Sequence, residues 1–196
     1  MICLKMTFRW YGMEDSITLE QIRQIPGVSG VVTAVYDVEP GNVWPRESIQ
    51  CLKDEVESNG LKMEVIESVP VHEDIKLGRG RYKKYIENYK ENIRRLAEAG
   101  VKCICYNFMP VFDWTRSGLD QPLEDGSNAL VYYKKDVDKM DPTKMTLPGW
   151  DASYTPKEMA ELIDAYKSLG EEGLWKNLEY FIKEIIPVAI ECDVNM

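Results

Sequence analysis

An amphipathic helical stretch, then a glycine, then a short apolar run that ends in polar residues: this unit recurs along the chain and limits its fold more than any other feature. The clearest copy is Glu98-Ala99-Gly100 leading into Val101-Lys102-Cys103-Ile104-Cys105-Tyr106-Asn107-Phe108. Earlier copies run from Pro26-Gly27 into Val28 to Ala34, and from Asn59-Gly60 into Leu61 to Ser68. A helix-to-strand repeat builds a parallel sheet flanked by helices, and closing such a sheet into a barrel takes about eight units. Four units are legible, and a further copy opens at Pro187-Val188-Ala189-Ile190-Glu191-Cys192-Asp193-Val194-Asn195-Met196. The expected class is therefore α/β with a parallel sheet, interrupted at a fifth strand. At 196 residues the chain is short for a complete barrel, which takes about 250.

The local signals agree with the repeat. Leu4 to Trp10 reads as a first strand, and Thr18 with Gln21 as a capping box opening a short helix through Gln24. Val28 to Val35 is a β-branched second strand. Pro45 opens a helix to about Ser58, and Leu61 to Ser68 follows as the third strand. Pro70 to Gly78 reads as a polar loop. From Arg81 to Ala99, Tyr82, Tyr85, Ile86, Tyr89, Ile93 and Leu96 recur at helical spacing and read as core. From Ser117 to Tyr154 the pattern breaks, with only Ala129 to Tyr133 strand-like; so long a connection is usually a binding loop or cover. Thr155-Pro156-Lys157-Glu158 restarts a helix that ends near Gly170, and another spans about Leu174 to Ile186. The reading is one domain over 1–196, with a long loop insertion at about 109–154.

Composition removes several function classes. A formal net charge of -9 and a pI near 4.8 oppose nucleic-acid binding, which needs a clustered basic face. No apolar run reaches the roughly 20 residues of a membrane span, and Arg9 interrupts the early apolar stretch where a signal peptide would need continuity. The cytoplasm is the expected compartment. Five cysteines without framework spacing speak against a secreted disulfide fold. Cys103 and Cys105 alternate on one strand and face one side, which reads as two small apolar thiols in a core or as a metal pair. With a single histidine the chain cannot supply a two-histidine metal site. There is no phosphate-binding glycine motif and no convincing Ser-His-Asp set.

Parallel β/α folds place ligands at the carboxyl ends of their strands. The first strand contributes Arg9 and Tyr11 there, the third Glu67, Ser68 and then His72, and the fourth Asn107 followed by Asp113, Trp114 and Arg116. Arginine clamps a carboxylate in two-point fashion while amides and carboxylates bond hydroxyls, so the set suits a small polyhydroxy acid. Each residue also has a plainer reading. His72 could cap a helix or sit in solvent, Arg9 and Arg116 could serve structural ion pairs, and Glu67 could bridge a lysine. Phe112 and Trp114 could pack the long loop down.

Four stretches carry a family resemblance: Lys5-Met6-Thr7-Phe8-Arg9-Trp10-Tyr11-Gly12; Ile22-Arg23-Gln24-Ile25-Pro26-Gly27-Val28; Glu64 through Lys76, with Glu67-Ser68-Val69-Pro70-Val71-His72-Glu73-Asp74 at its centre; and Cys105 through Arg116. They resemble the mannonate dehydratases over essentially the whole chain. The resemblance implies a xylose-isomerase-like TIM (β/α)8 barrel, of which this chain carries about the first four β/α units. It implies dehydration of D-mannonate to 2-keto-3-deoxy-D-gluconate in hexuronate catabolism, by a β-elimination assisted by Mn²⁺ or Fe²⁺. The family's metal ligands (two histidines, a cysteine and an aspartate) are expected beyond Met196, and so are the catalytic acid and base. None of this chain's cysteines falls at the ligand position. Arg9, His72, Asn107, Asp113, Trp114 and Arg116 are then expected to bind substrate. A homo-oligomer is expected, with no nucleic-acid or membrane partner. Two other readings stand beside this one: a sugar isomerase or epimerase on the same barrel, and a non-catalytic half barrel that assembles with another chain.

Overall fold

The computed structural model describes residues 4–111, 115–140 and 154–196, with the backbone alone at Pro156. Its contacts fall into two compact units, one made of residues 1–108 with 175–196 and the other of residues 109–174.

The first unit is the expected parallel sheet. Its strands are β1 (Met6–Arg9), β2 (Val28–Thr33), β3 (Lys62–Glu67) and β4 (Cys103–Cys105), in the order β1-β2-β3-β4 and all parallel. The helices between them are α1 (Leu19–Arg23), α2 (Arg46–Ser58), α3 (Glu73–Leu77) and α4 (Tyr82–Glu98). Each begins and ends for local reasons. Thr18 and Gln21 form the expected capping box on α1, with Gln21 N–H donating to Thr18 Oγ1 at 3.2 Å and Thr18 N–H donating to Gln21 Oε1 at 2.9 Å. Pro45 stands at the N-cap position of α2 with φ -58° and ψ 141°, without a side-chain cap bond. The repeat's glycine marks the exit from a helix: Gly60 and Gly100 sit at φ 75° and 93°, where a side chain would be strained, so each turns the chain from helix into strand.

Register divides the sheet into two faces. Ile66 pairs with Ile104, and both are fully buried. Val65 pairs with Cys103 and Glu67 with Cys105 on the opposite, more open face. The tyrosine stripe of α4 is core as expected, with Tyr85, Ile86, Tyr89, Ile93 and Leu96 all buried.

The Pro70 to Gly78 segment, expected as loop, contains the helix α3. His72 caps it, and Gly78 closes it in the left-handed region. Five residues are too few to show helical periodicity, so only the cap signal was available.

The chain's end also differs from expectation. In α6 (Pro156–Glu191) Gly170 breaks the helix at φ 69°, near where the sequence stops it. Beyond that break the helix continues through Pro187 to Glu191, so Pro187 to Glu191 is not strand. Phe181, Ile185, Val188 and Ala189 are buried at helical spacing, and that common face overrides the β-branched composition. Strand-like pairing begins only at Asn195, whose N–H donates to Lys102 O at 3.0 Å and whose carbonyl accepts from Ile104 N–H at 2.9 Å. This fifth segment pairs in parallel with β4, later than the composition suggested.

Within the expected loop the second unit holds secondary structure. β5 (Gly118–Pro122) and β6 (Asn128–Val131) form an antiparallel hairpin, followed by α5 (Lys134–Val137). Asp125 Oδ1 accepts from Ser127 N–H at 2.9 Å and from its hydroxyl at 2.7 Å, setting the turn. β5 is polar and mostly exposed, so it carries no apolar alternation for sequence to show. Thr155 opens α6 with the expected capping box, donating to Glu158 Oε2 from N–H at 2.8 Å and accepting from Glu158 N–H at 3.3 Å.

Phe181 packs the part of α6 that belongs to the sheet unit against its strands. It is fully buried, with ring centroids 5.1 Å from Tyr89, 5.8 Å from Tyr106 and 5.7 Å from Phe108. Phe181→Ala is expected to cost about 3–5 kcal/mol, read as a lowered urea midpoint with an unchanged slope.

Candidate functional site

The carboxyl ends of the four strands form a polar rim on the first unit. Arg9 is the last residue of β1 and pairs in register with Val32, which in turn pairs with Val65. Register and alternation therefore put Arg9, Glu67 and Cys105 on the open face of the sheet. Arg9 Nη1 donates to Val32 O at 3.4 Å, and its guanidinium lies over the Tyr11 ring, 4.7 Å from the centroid. The ring contact and the Val32 bond hold the guanidinium at the strand end, where a charged fork can meet an acceptor.

Tyr36, just past β2, lies across the turn that follows β1. Its hydroxyl donates to Trp10 O at 3.3 Å, and its ring packs on Gly12, where an added Cβ would come within 3.2 Å of it. Burial pushes the Tyr36 hydroxyl pKa up, and the nearby Arg9 charge opposes the rise. Burial also pushes the Cys105 thiol up, with Cys103 and Glu67 adding to the rise and Arg9 opposing it. One cation, one carboxylate, two phenols and two thiols thus share one electrostatic neighbourhood.

The loop between β2 and α2 is held to α4 by polar side chains that sit among its apolar residues. Asn92, buried on α4, accepts from Trp44 N–H at 2.8 Å and donates to Asn42 O at 3.1 Å. Asn88 donates to Gly41 O at 2.8 Å, and Arg95 to Trp44 O at 2.9 Å. Gly41 has no room for a side chain, since a Cβ there would lie 2.7 Å from Tyr85 and 3.1 Å from His72.

His72 has a definite structural task. Its Nδ1 accepts from Asp74 N–H at 3.0 Å, capping α3, and its ring stacks on Tyr85 at 4.0 Å. An acceptor at Nδ1 leaves the neutral ring's proton on Nε2. Burial lowers its pKa, against the opposing charges of Asp74 and Glu73. Asn107 is partly buried, two residues beyond β4. Arg116 belongs to the second unit, where its Nη1 donates to Thr115 O at 3.0 Å. Asp113 and Trp114 lie outside the described residues. Among the described residues no three His, Cys, Asp or Glu side chains gather closely enough to hold a metal ion. Glu67 is exposed at the end of β3. Tyr36 is not among the strand-end residues singled out by the sequence, although its place after an apolar run is a legible signal.

Against known proteins, the family description D-mannonate dehydratase (UxuA) matches residues 4–196. The chain is 57% identical to a mannonate dehydratase of Streptococcus uberis and 53% identical to one of Oceanobacillus iheyensis, covering 98% of this chain and 56% of each relative. A crystal structure of mannonate dehydratase from Streptococcus suis serotype 2 aligns with a TM-score of 0.88 at 52% identity, covering 98% of this chain and 52% of that one. The chain spans about half the length of the relatives it matches.

Because the folded pKa of His72 lies below its ordinary 6.5, the neutral ring is the stabilising form. That contribution is complete above about pH 6.5 and is lost as pH falls toward the lower folded value. Urea unfolding at pH 7.5 and 5.5 is expected to show a larger loss of stability in the parent chain than in His72→Asn, whose amide oxygen keeps the cap without titrating.

Proposed function

Since the chain belongs to the D-mannonate dehydratase family, we propose that it forms the substrate-holding wall of a hydro-lyase that removes water from D-mannonate to give 2-keto-3-deoxy-D-gluconate in hexuronate catabolism. The observation that carries the reading is Arg9, presented at a strand end on the open sheet face with its guanidinium 4.7 Å from the Tyr11 ring centroid. In this reading the four strands are the first part of a (β/α)8 barrel of xylose-isomerase-like type. The parallel order and the Asn195 pairing on the far side of β4 support that continuation. The cytoplasm and a homo-oligomeric assembly complete the proposal.

The steps follow from the chain's own groups. Arg9 pairs with the substrate carboxylate and favours the negative charge that builds there as the neighbouring C–H loses its proton. Glu67 and Asn107 accept from and donate to the hydroxyls, and so set which carbon faces the base. Arg116, Asp113 and Trp114 are assigned to substrate contact by the resemblance, and His72 Nε2 remains available to a hydroxyl while Nδ1 caps α3. The family implies Mn²⁺ or Fe²⁺; the described residues do not gather a ligand set for it, and its ligands are proposed to lie beyond Met196.

Two measurements test this. With D-mannonate and Mn²⁺, the 196-residue chain is expected to form no keto acid, and sustained turnover would overturn the division of labour. Calorimetric titration is expected to show D-mannonate binding that Arg9→Met weakens roughly tenfold or more, the scale of a lost charge-assisted pair.

A further inference from the structure

We propose that Cys103 and Cys105 form a dithiol site on the open face of the sheet that chelates monosubstituted trivalent arsenicals, independently of any dehydratase activity. The two residues alternate on β4, so their side chains leave the strand on the same side. Ile104 between them is fully buried on the opposite face, while both thiols remain partly exposed. Both are free. Cys103 is close enough to Cys105 to act on its thiol.

Spacing selects the ligand. Alternate Cα atoms on a strand lie roughly 6.5 Å apart, at the far end of the disulfide range and beyond its mode near 5.5–6 Å. A direct S–S bond is therefore disfavoured, whereas one bridging atom carrying two sulfurs spans that distance. A divalent metal would need further ligands, and none gathers among the described residues. Trivalent arsenic with one organic substituent needs only two thiols, and soft sulfur is its preferred donor. With phenylarsine oxide, two As–S bonds form and the As–O bond is lost. Both thiol protons leave with the oxygen as water, and arsenic stays trivalent, so no oxidant or reductant is required. The adduct would sit beside Arg9 and Glu67, which share this face.

The test uses the full chain and phenylarsine oxide. Intact mass is expected to show one adduct that survives a 2-mercaptoethanol wash and is released by dithiothreitol, because only a second dithiol matches the effective concentration of the pair. Peptide mapping after alkylation should show Cys103 and Cys105 protected and Cys51, exposed on α2, still alkylated. Cys103→Ala and Cys105→Ala are each expected to lower retention at least tenfold, and Cys51→Ala to leave it unchanged. An adduct removed by the monothiol, protection mapped to other cysteines, or full retention in either single variant overturns the site. Mapping on the unmutated chain keeps the question decidable where a variant fails to fold.

Discussion

The sheet unit depends on one constraint: a parallel sheet has to bury a face under helices, because its strands are joined only through crossovers. Here that face is the Ile66–Ile104 pair with its neighbours, met by the buried stripe of α4 and closed by Phe181 from α6. Phe181 is distant in sequence from β4 yet touches the aromatics that leave it, Tyr106 and Phe108. The contact positions the end of α6 so that Asn195 meets Lys102 and Ile104 in register. Packing on one face thereby decides where the next strand begins.

The opposite face is free to carry chemistry because the first face does the burying. Arg9 and Glu67 are poor choices for a dry core, and on the open side they need not form one. The same logic places Asn92 within the apolar stripe of α4. It is buried, but its amide satisfies a donor at Trp44 and an acceptor at Asn42, so the polar group holds a loop without an unpaired atom. The rim is thus supported by a helix whose outer neighbours in sequence are ordinary core residues.

Much of this was legible because the repeat couples two periods. Glycines 60 and 100 announced each helix-to-strand switch, and the α4 stripe and the Thr18 and Thr155 caps stood at their expected positions. Three features were hidden for different physical reasons. The α3 turn is shorter than a helical period can reveal. β5 gains its order from backbone pairing and the Asp125 turn, with little burial. Pro187-Val188-Ala189-Ile190 has strand composition, but its burial pattern is set by a helix begun earlier. Of the site, Arg9 and Glu67 were visible as strand-end residues, while Tyr36 needed the knowledge that its ring crosses the turn after β1.

His72 is held by two contacts at once. Its Nδ1 is committed to the α3 cap and its ring to Tyr85, and Gly41 fits only because nothing larger would clear that stack. Those commitments hold the ring in a single orientation, with Nε2 as its remaining polar atom. A group fixed in this way directs a hydrogen bond without losing further rotamer freedom when a ligand arrives. The structural role of His72 is therefore compatible with the proposed substrate contact: the cap on one nitrogen gives the other nitrogen a defined direction.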